Sequence, residues 1–406
     1  MAAQADAAPQ IMSAWITLLL ASACGLIAAN IYYAQPLAGP ISQALGLSTA
    51  AAGLIVTMTQ IGYGLGLLLI VPLGDLFENR RLVLCIIAAS VVALLAAALA
   101  TDPAQFLTAA LFIGLCSVSV QVLVPYAAHL APHGHSGRVV GNVMSGLMLG
   151  IMLARPVASL ITQLSSWHVV FYLSAGVMTV LALVLWRALP TRVPAHQLSY
   201  GQLLASMADL ALHTPVLHRR ALYQAAMFGA FSLFWTTTPL YLAGPVFHLS
   251  QFGIALFALA GVAGAVAAPI AGRVADRGWS RPASGIALVC GVVAFLITHL
   301  APAGSTLALG LLVAAAILLD FGVAGSLTLG QRAIFALGAQ YRGRLNGLFM
   351  ATFFLAGALG SAVGGWAFAH GGWLWTSLIG GALPCVALLY YGSEWRATAT
   401  PPGAAV

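Results

Sequence analysis

Long apolar runs alternate with short polar interruptions along the whole chain. An α-helix needs about 20 apolar residues to cross ~30 Å of hydrocarbon. Twelve runs approach or exceed that length, at roughly 14–37, 50–74, 82–101, 105–130, 139–163, 167–189, 220–243, 251–272, 283–301, 305–330, 344–369 and 372–392. Together with their connecting loops they take up about the whole chain and predict an all-α membrane protein with twelve transmembrane helices. The longest interruption lies near the middle. It divides the chain into an N-terminal six-helix bundle (1–190), a linker (191–218) and a C-terminal six-helix bundle (219–406). Within the linker, Ser199 to Leu212 has the pattern of a short amphipathic helix lying on the membrane surface.

Composition narrows the class further. Hydrophobic residues make up 61% of the chain and charged residues 6%, against about 25% charged in a soluble domain. Hydrocarbon must therefore be the solvent for most of the surface. The 43 glycines suit close helix–helix contact in lipid. Cys24, Cys85, Cys116, Cys290 and Cys385 all lie in apolar runs with no metal or disulfide spacing. Met1 to Ser13 has no Lys or Arg, so the first run is expected to be a retained helix rather than a signal peptide.

Charge then predicts orientation. The net charge is +7, and the chain has 15 arginines and no lysine. With twelve crossings, every arginine outside the apolar runs falls on one side. By the positive-inside rule that side, with both termini, is cytoplasmic. The basic excess is thus topological. A nucleic-acid partner would require exposed basic patches interleaved with aromatics, and the chain has none.

The two halves carry matching segments. Leu73 to Arg81, after helix 2, corresponds to Gly272 to Gly278, after helix 8. Gly137-Arg138-x-x-Gly141-x-x-Met144 begins helix 5, and Gly343-Arg344-x-x-Gly347-x-x-Met350 begins helix 11. Two parallel six-helix repeats are expected from this pairing. The two Asp loops resemble the cytoplasmic signature of the major facilitator superfamily, Gly-x-Leu-Ala-Asp-Arg-x-Gly-Arg. The second copy is the better fit, since Val71 and Glu78 replace glycines in the first. Gly150 to Pro156 resembles a degenerate Gly-x-x-x-Gly-Pro antiporter motif, with Ala154 for Gly and Arg155 for Pro. The helix 4 arginine of the drug–proton antiporters is missing from Leu111 to Val124. The chain as a whole is similar to the twelve-span branch that exports drugs, sugars and nucleosides.

That resemblance implies a helix arrangement with helix 2 beside helix 11 and helix 5 beside helix 8. Asp75, flanked by Arg80 and Arg81, would then latch onto the start of helix 11 near Arg344. Asp276, followed by Arg277, would latch onto helix 5 near Arg138. A carboxylate facing a helix N-terminus is stabilised by its free N–H groups. The alternative is that all seven are ordinary solvated loop charges.

Two ionisable residues lie deep inside apolar runs: Asp320 in helix 10 and Arg155 in helix 5. A charge at that depth costs at least ~2.5–3.5 kcal/mol on insertion scales and normally faces a cavity or a partner. Asp320 is therefore a candidate proton-coupling site, the alternative being a structural carboxyl bonded to a neighbour. Arg155 has three readings: an anchor for an anionic substrate group, a partner of Asp320, or a packing residue bonded to carbonyls. Asn30, Tyr33, Gln60, Tyr63, Gln121, Trp235 and Thr238 are candidate lining residues of an otherwise apolar substrate pocket. Tyr32, Tyr241 and Trp373 read instead as interfacial anchors. His133 and His135 read as loop residues.

The expected activity is secondary active export of a small organic molecule in exchange for protons, with proton-coupled uptake of an organic anion as the alternative. An intramembrane enzyme would need a nucleophile, base or metal ligands placed together, and Asp320 stands apart from such groups. A receptor would need a signalling domain. An ATP-driven pump would need a Gly-x-x-x-x-Gly-Lys loop, in a chain without lysine. The expected partners are the substrate, protons and the lipid bilayer, with no cofactor, metal or nucleic acid. A monomer in a bacterial inner membrane is expected.

Overall fold

The structure, a computed structural model, describes residues 14–131, 136–193, 199–338 and 341–399. His133 and His135 fall outside them. The described residues are almost entirely helical. In the first half α1 spans Ala14–Tyr32, α2 Ala38–Leu45, α3 Leu54–Leu69, α4 Asn79–Leu99, α5 Pro103–Ser117, α6 Ser119–Leu130, α7 Ser136–Leu164 and α8 Trp167–Ala188. Next comes α9, Tyr200–His213. The second half holds α10 (Pro215–Ala243), α11 (Gln251–Ala258), α12 (Gly264–Asp276), α13 (Ser280–Ile297), α14 (Thr306–Phe335) and α15 (Arg342–Ala399).

Local chemistry sets many of these ends. Glu78 caps α4 by accepting from the N–H groups of Arg80 (2.9 Å) and Arg81 (3.0 Å). Asp102 accepts from the Gln105 N–H at 3.0 Å, with Pro103 in the first turn of α5. Ser199 and Gln202 form a reciprocal capping box on α9. Gly372 interrupts α15 with φ +58° and ψ −150°, a left-handed conformation that costs other residues energy.

Among the described residues ten segments are long and apolar enough to cross a membrane. One of them, Arg342–Glu394, has 53 residues and bends at Gly372, so it accommodates two crossings. The helix α10 is not among the ten. It carries His218, Arg219 and Arg220 in its first two turns and Ser232, Thr236, Thr237 and Thr238 in its second half, all four of these last buried inside the protein. The count of twelve rests on reading α15 as two limbs and α10 as a crossing.

Each half has its own apolar core. One is built from residues between Leu19 and Leu189. The other runs mainly from Leu217 to Tyr391 and takes in Ala29, Ile31, Tyr32, Tyr63, Leu67, Val118 and Ala154 from the first half. Glycine permits the tight crossings. A Cβ on Gly150 of α7 would stand 2.1 Å from the Gly25 carbonyl oxygen of α1. A Cβ on Gly53, just before α3, would stand 2.1 Å from the Ser361 oxygen of α15. Lipid-buried backbones approach most closely where side chains are smallest.

Apart from Arg155, the described arginines cluster at one end of the helices. At the arginine-free end the halves touch: the Phe252 N–H of α11 donates to Gln163 Oε1 of α7 at 3.3 Å. At the arginine-rich end α7 and α12 do not pack, and a Cβ on Gly137, Gly141 or Gly272 would meet nothing within 4 Å. The helices α3 and α15 stay together throughout, and α9 docks beneath them. Tyr200 of α9 donates to the Leu69 carbonyl at 2.9 Å, and Arg344 donates to Ser206.

Candidate functional site

Arg155 and Asp320 meet where the two halves face each other. Arg155 projects from α7 and Asp320 from the middle of α14, and both are buried. The Arg155 Nε donates to Gln35 Oε1 at 2.7 Å. Its guanidinium carbon lies 4.2 Å from the ring centroid of Trp235, 5.1 Å from Phe231 and 5.2 Å from Tyr32. Trp235 also donates its indole N–H to Asp320 Oδ1 at 2.8 Å. One indole thus offers its face to the cation and its edge to the anion.

No direct Arg155–Asp320 ion pair forms among the described residues. Gly261, in the 3-10 turn Leu259–Ala263, lies between them. A Cβ there would stand 3.0 Å from Asp320 Oδ2 and 3.1 Å from Arg155 Nη1. Burying either charge alone would cost several kcal/mol. A charge-assisted hydrogen bond offsets ~1.5–3 kcal/mol, and a desolvated cation–π contact about 2. The remainder falls to the mutual attraction of the two ions. Arg155 Nη2, Gln35 Nε2, Thr236 Oγ1 and Thr238 Oγ1 are buried without a hydrogen-bond partner among the described residues.

The remaining candidates lie in different surroundings. Gln60 of α3 exchanges hydrogen bonds with Ser232 of α10 at 2.8 and 3.2 Å, so it ties the halves together. Tyr63 accepts from Gln121 Nε2 at 3.1 Å, and its ring lies tilted against Phe354 with centroids 4.3 Å apart. Asn30 accepts from Ser174 of α8, within the first half. Tyr33 is partly buried one turn further along. Tyr32 and Trp373, read from sequence as interfacial anchors, are instead buried, Tyr32 beneath Arg155 and Trp373 stacked on Tyr241 at 4.9 Å. Their rings fill gaps between helices that hydropathy alone cannot locate.

The charged loops meet different partners. Asp75 shares a cavity of about 260 Å³ with Arg192, Arg344, Asn79 and Gln121, and the charges of Arg192 and Arg344 act on it, although no Asp75–Arg344 ion pair closes among the described residues. Asp276 pairs with Arg332 of α14 at 2.6 Å rather than with Arg138, because the adjacent ends of α7 and α12 stand apart. Arg80 donates to the Trp186 carbonyl, Arg81 lies 3.8 Å from Glu78, and Arg138 and Arg277 are exposed. Sequence reading left Gln35 and Gly261 out of the site. A polar residue just before Pro36 in an apolar run was a usable signal for Gln35; Gly261 gave none. Glu394, in the last turns of α15, is buried among Arg219, Arg220 and Arg281.

A polytopic bundle of two helical halves, with an opposite-charge pair at their junction, has the architecture of a membrane transporter. The sequence profile of the Major Facilitator Superfamily matches residues 18–311, and the chain belongs to that family. It is 39% identical over 385 residues to the uncharacterized transporter YgaY of Escherichia coli O157:H7, covering 95% of this chain and 96% of that protein. It is 26% identical over 232 residues to a Helicobacter pylori (strain G27) protein named "Probable sugar efflux transporter", covering 55% of this chain and 57% of that one. Among solved structures, the nucleoside transporter NupG superposes with a TM-score of 0.72 at 16% identity, over 94% of this chain and 99% of that one. A bacterial homologue of the lysosomal transporter Spinster, inward-facing and occupied, gives 0.75 at 14%, over 94% and 96%. At such identities these two structures speak for the fold alone.

Proposed function

We propose that this transporter exports a small organic molecule in exchange for protons by alternating access, with Asp320 carrying the proton. One observation supports this above the others: Asp320 and Arg155 come from opposite halves and share Trp235 and Gly261 without closing into an ion pair. While Asp320 is ionised, its attraction to Arg155 draws the halves together at this depth. Protonation cancels that attraction and releases the guanidinium. A coupling of ~1–3 kcal/mol changes the ratio of two states by about 5- to 150-fold, enough to commit the bundles to one side.

The buried polar groups around Arg155 and on α10 belong to the substrate pocket in this reading, and the Helicobacter relative's name makes sugars the first compounds to test. The arginine-rich end is cytoplasmic, in a bacterial inner membrane. The junctions around Asp75 and Asp276 close and open that end, with Asp276 exchanging Arg332 for Arg138 when α7 meets α12.

Everted vesicles with an acid interior provide the test. A pH-sensitive dye would be followed while sugars, nucleosides, drugs and organic acids are added. The expected outcome is a compound that dissipates the gradient with the native protein and not with Asp320→Asn. An equal response from both proteins would remove Asp320 from proton coupling. A second reading is uptake of an organic anion, favoured by the buried and unpartnered Arg155 Nη2. Net flux into right-side-out vesicles, lost in Arg155→Gln, would select it.

A further inference from the structure

We propose that the arginine-rich end of the second half binds one anionic phospholipid, its phosphate held by Arg281, Arg219 and Arg220 and its acyl chains laid along α13. Two independent features coincide there. The first is a charge excess. The Glu394 carboxylate lies 3.7 Å from Arg219, 3.6 Å from Arg220 and 3.7 Å from Arg281. Tyr223 donates to the same carboxylate at 3.0 Å. One carboxylate offsets one of three guanidiniums. The other acidic side chains of this half are engaged elsewhere, Asp276 with Arg332 and Asp320 with Trp235. Among the described residues Glu394 therefore gathers three arginines, whose positive charge exceeds its own by two. The Arg219 and Arg281 side chains are 30% and 33% exposed, so the surplus reaches the surface.

The second feature is a groove of about 470 Å³ between α13, α14 and the second limb of α15. It opens beside Pro282 and Tyr391, and the Tyr391 hydroxyl donates to the Arg281 carbonyl at 2.7 Å. From there it runs toward the membrane interior past Ile286, Val289, Val293 and Leu388. Exposed Trp279 stands two residues before Arg281, as aromatic residues do at headgroup level. Arginine forks match phosphate oxygens geometrically, and basic pockets between helices on the cytoplasmic face suit anionic headgroups. A free anion would use the arginines and leave the groove idle. A phospholipid uses both, in the orientation the membrane imposes.

The full-length protein in detergent would be titrated with dioleoyl phosphatidylglycerol or dioleoyl phosphatidylcholine and bound lipid counted by native mass spectrometry. A basic residue near a membrane surface contributes about a fivefold preference for an anionic headgroup. The glycerol lipid is therefore expected to bind at least about fivefold more tightly than the choline lipid. Arg281→Gln should lower that preference about fivefold and leave choline-lipid binding unchanged. Val289→Trp, which fills the groove and leaves the arginines alone, should weaken both lipids. Equal binding of the two lipids by the native protein, or an undiminished preference in Arg281→Gln, overturns the proposal. Displacement of the glycerol lipid by millimolar inorganic phosphate, with Val289→Trp silent, would make this a free-anion site and equally overturn it.

Discussion

At the scale of single residues, Trp235 connects the two buried charges. Trp235→Phe keeps an aromatic face under Arg155 and deletes the donor to Asp320 Oδ1. A hydrogen bond to a charged group is worth ~1.5–3 kcal/mol. Substrate-driven proton flux should fall about tenfold or more, at unchanged protein yield, in the dye assay. Gly261→Ala inserts a methyl 3.0 Å from the carboxylate and 3.1 Å from the guanidinium. It should depress flux with little change in melting temperature, because its effect falls on the charged pair. Asp320 and Arg155 were legible in sequence because a charge inside an apolar run stands out by position alone. Their meeting through Trp235 was not, because the contact joins residues 85 apart with no periodic signal. The surroundings of Glu394 were not legible either, because its three arginines come from residues 113 to 175 positions earlier and the fold alone brings them together.

At the scale of helices, apolar length marked the helical segments, while their interruptions left little trace in the sequence. Apolar length is a bulk property, so the helices in lipid could be read directly. Breaks such as the 3-10 turn Leu259–Ala263, or the bend of α15 at Gly372, depend on local backbone geometry. The amphipathic stretch expected over Ser199 to Leu212 forms α9, with Leu203 and Met207 buried. Glycine abundance foretold close packing without saying which glycine meets which helix. Gly150→Ala tests one such meeting, since its methyl would stand 2.1 Å from the Gly25 oxygen. Overpacking typically costs ~1–3 kcal/mol. A lowered melting temperature in detergent is the expected result, while Gly141→Ala, whose methyl meets open space, should leave it unchanged.

At the scale of the whole molecule, the halves are joined at the arginine-free end and along α3 and α15, and are parted between α7 and α12 at the other. The Asp276–Arg332 pair, with side chains 65% and 46% exposed, contributes at most ~1 kcal/mol. Asp276→Ala should therefore leave thermal stability within that range, and any larger effect on transport would come from the closed state. A Gly137→Cys, Gly272→Cys double variant should cross-link slowly in the conformation described and faster when substrate closes that end. The one-sided distribution of arginine has a practical corollary. Trypsin cuts after Arg and Lys, and this chain has no Lys, so the enzyme finds its cleavage sites on one face of a sealed membrane. Vesicles presenting that face would be nicked at exposed arginines such as Arg138 and Arg277, whereas those of opposite sidedness would keep the chain whole, and a protein gel would then report which way the transporter sits.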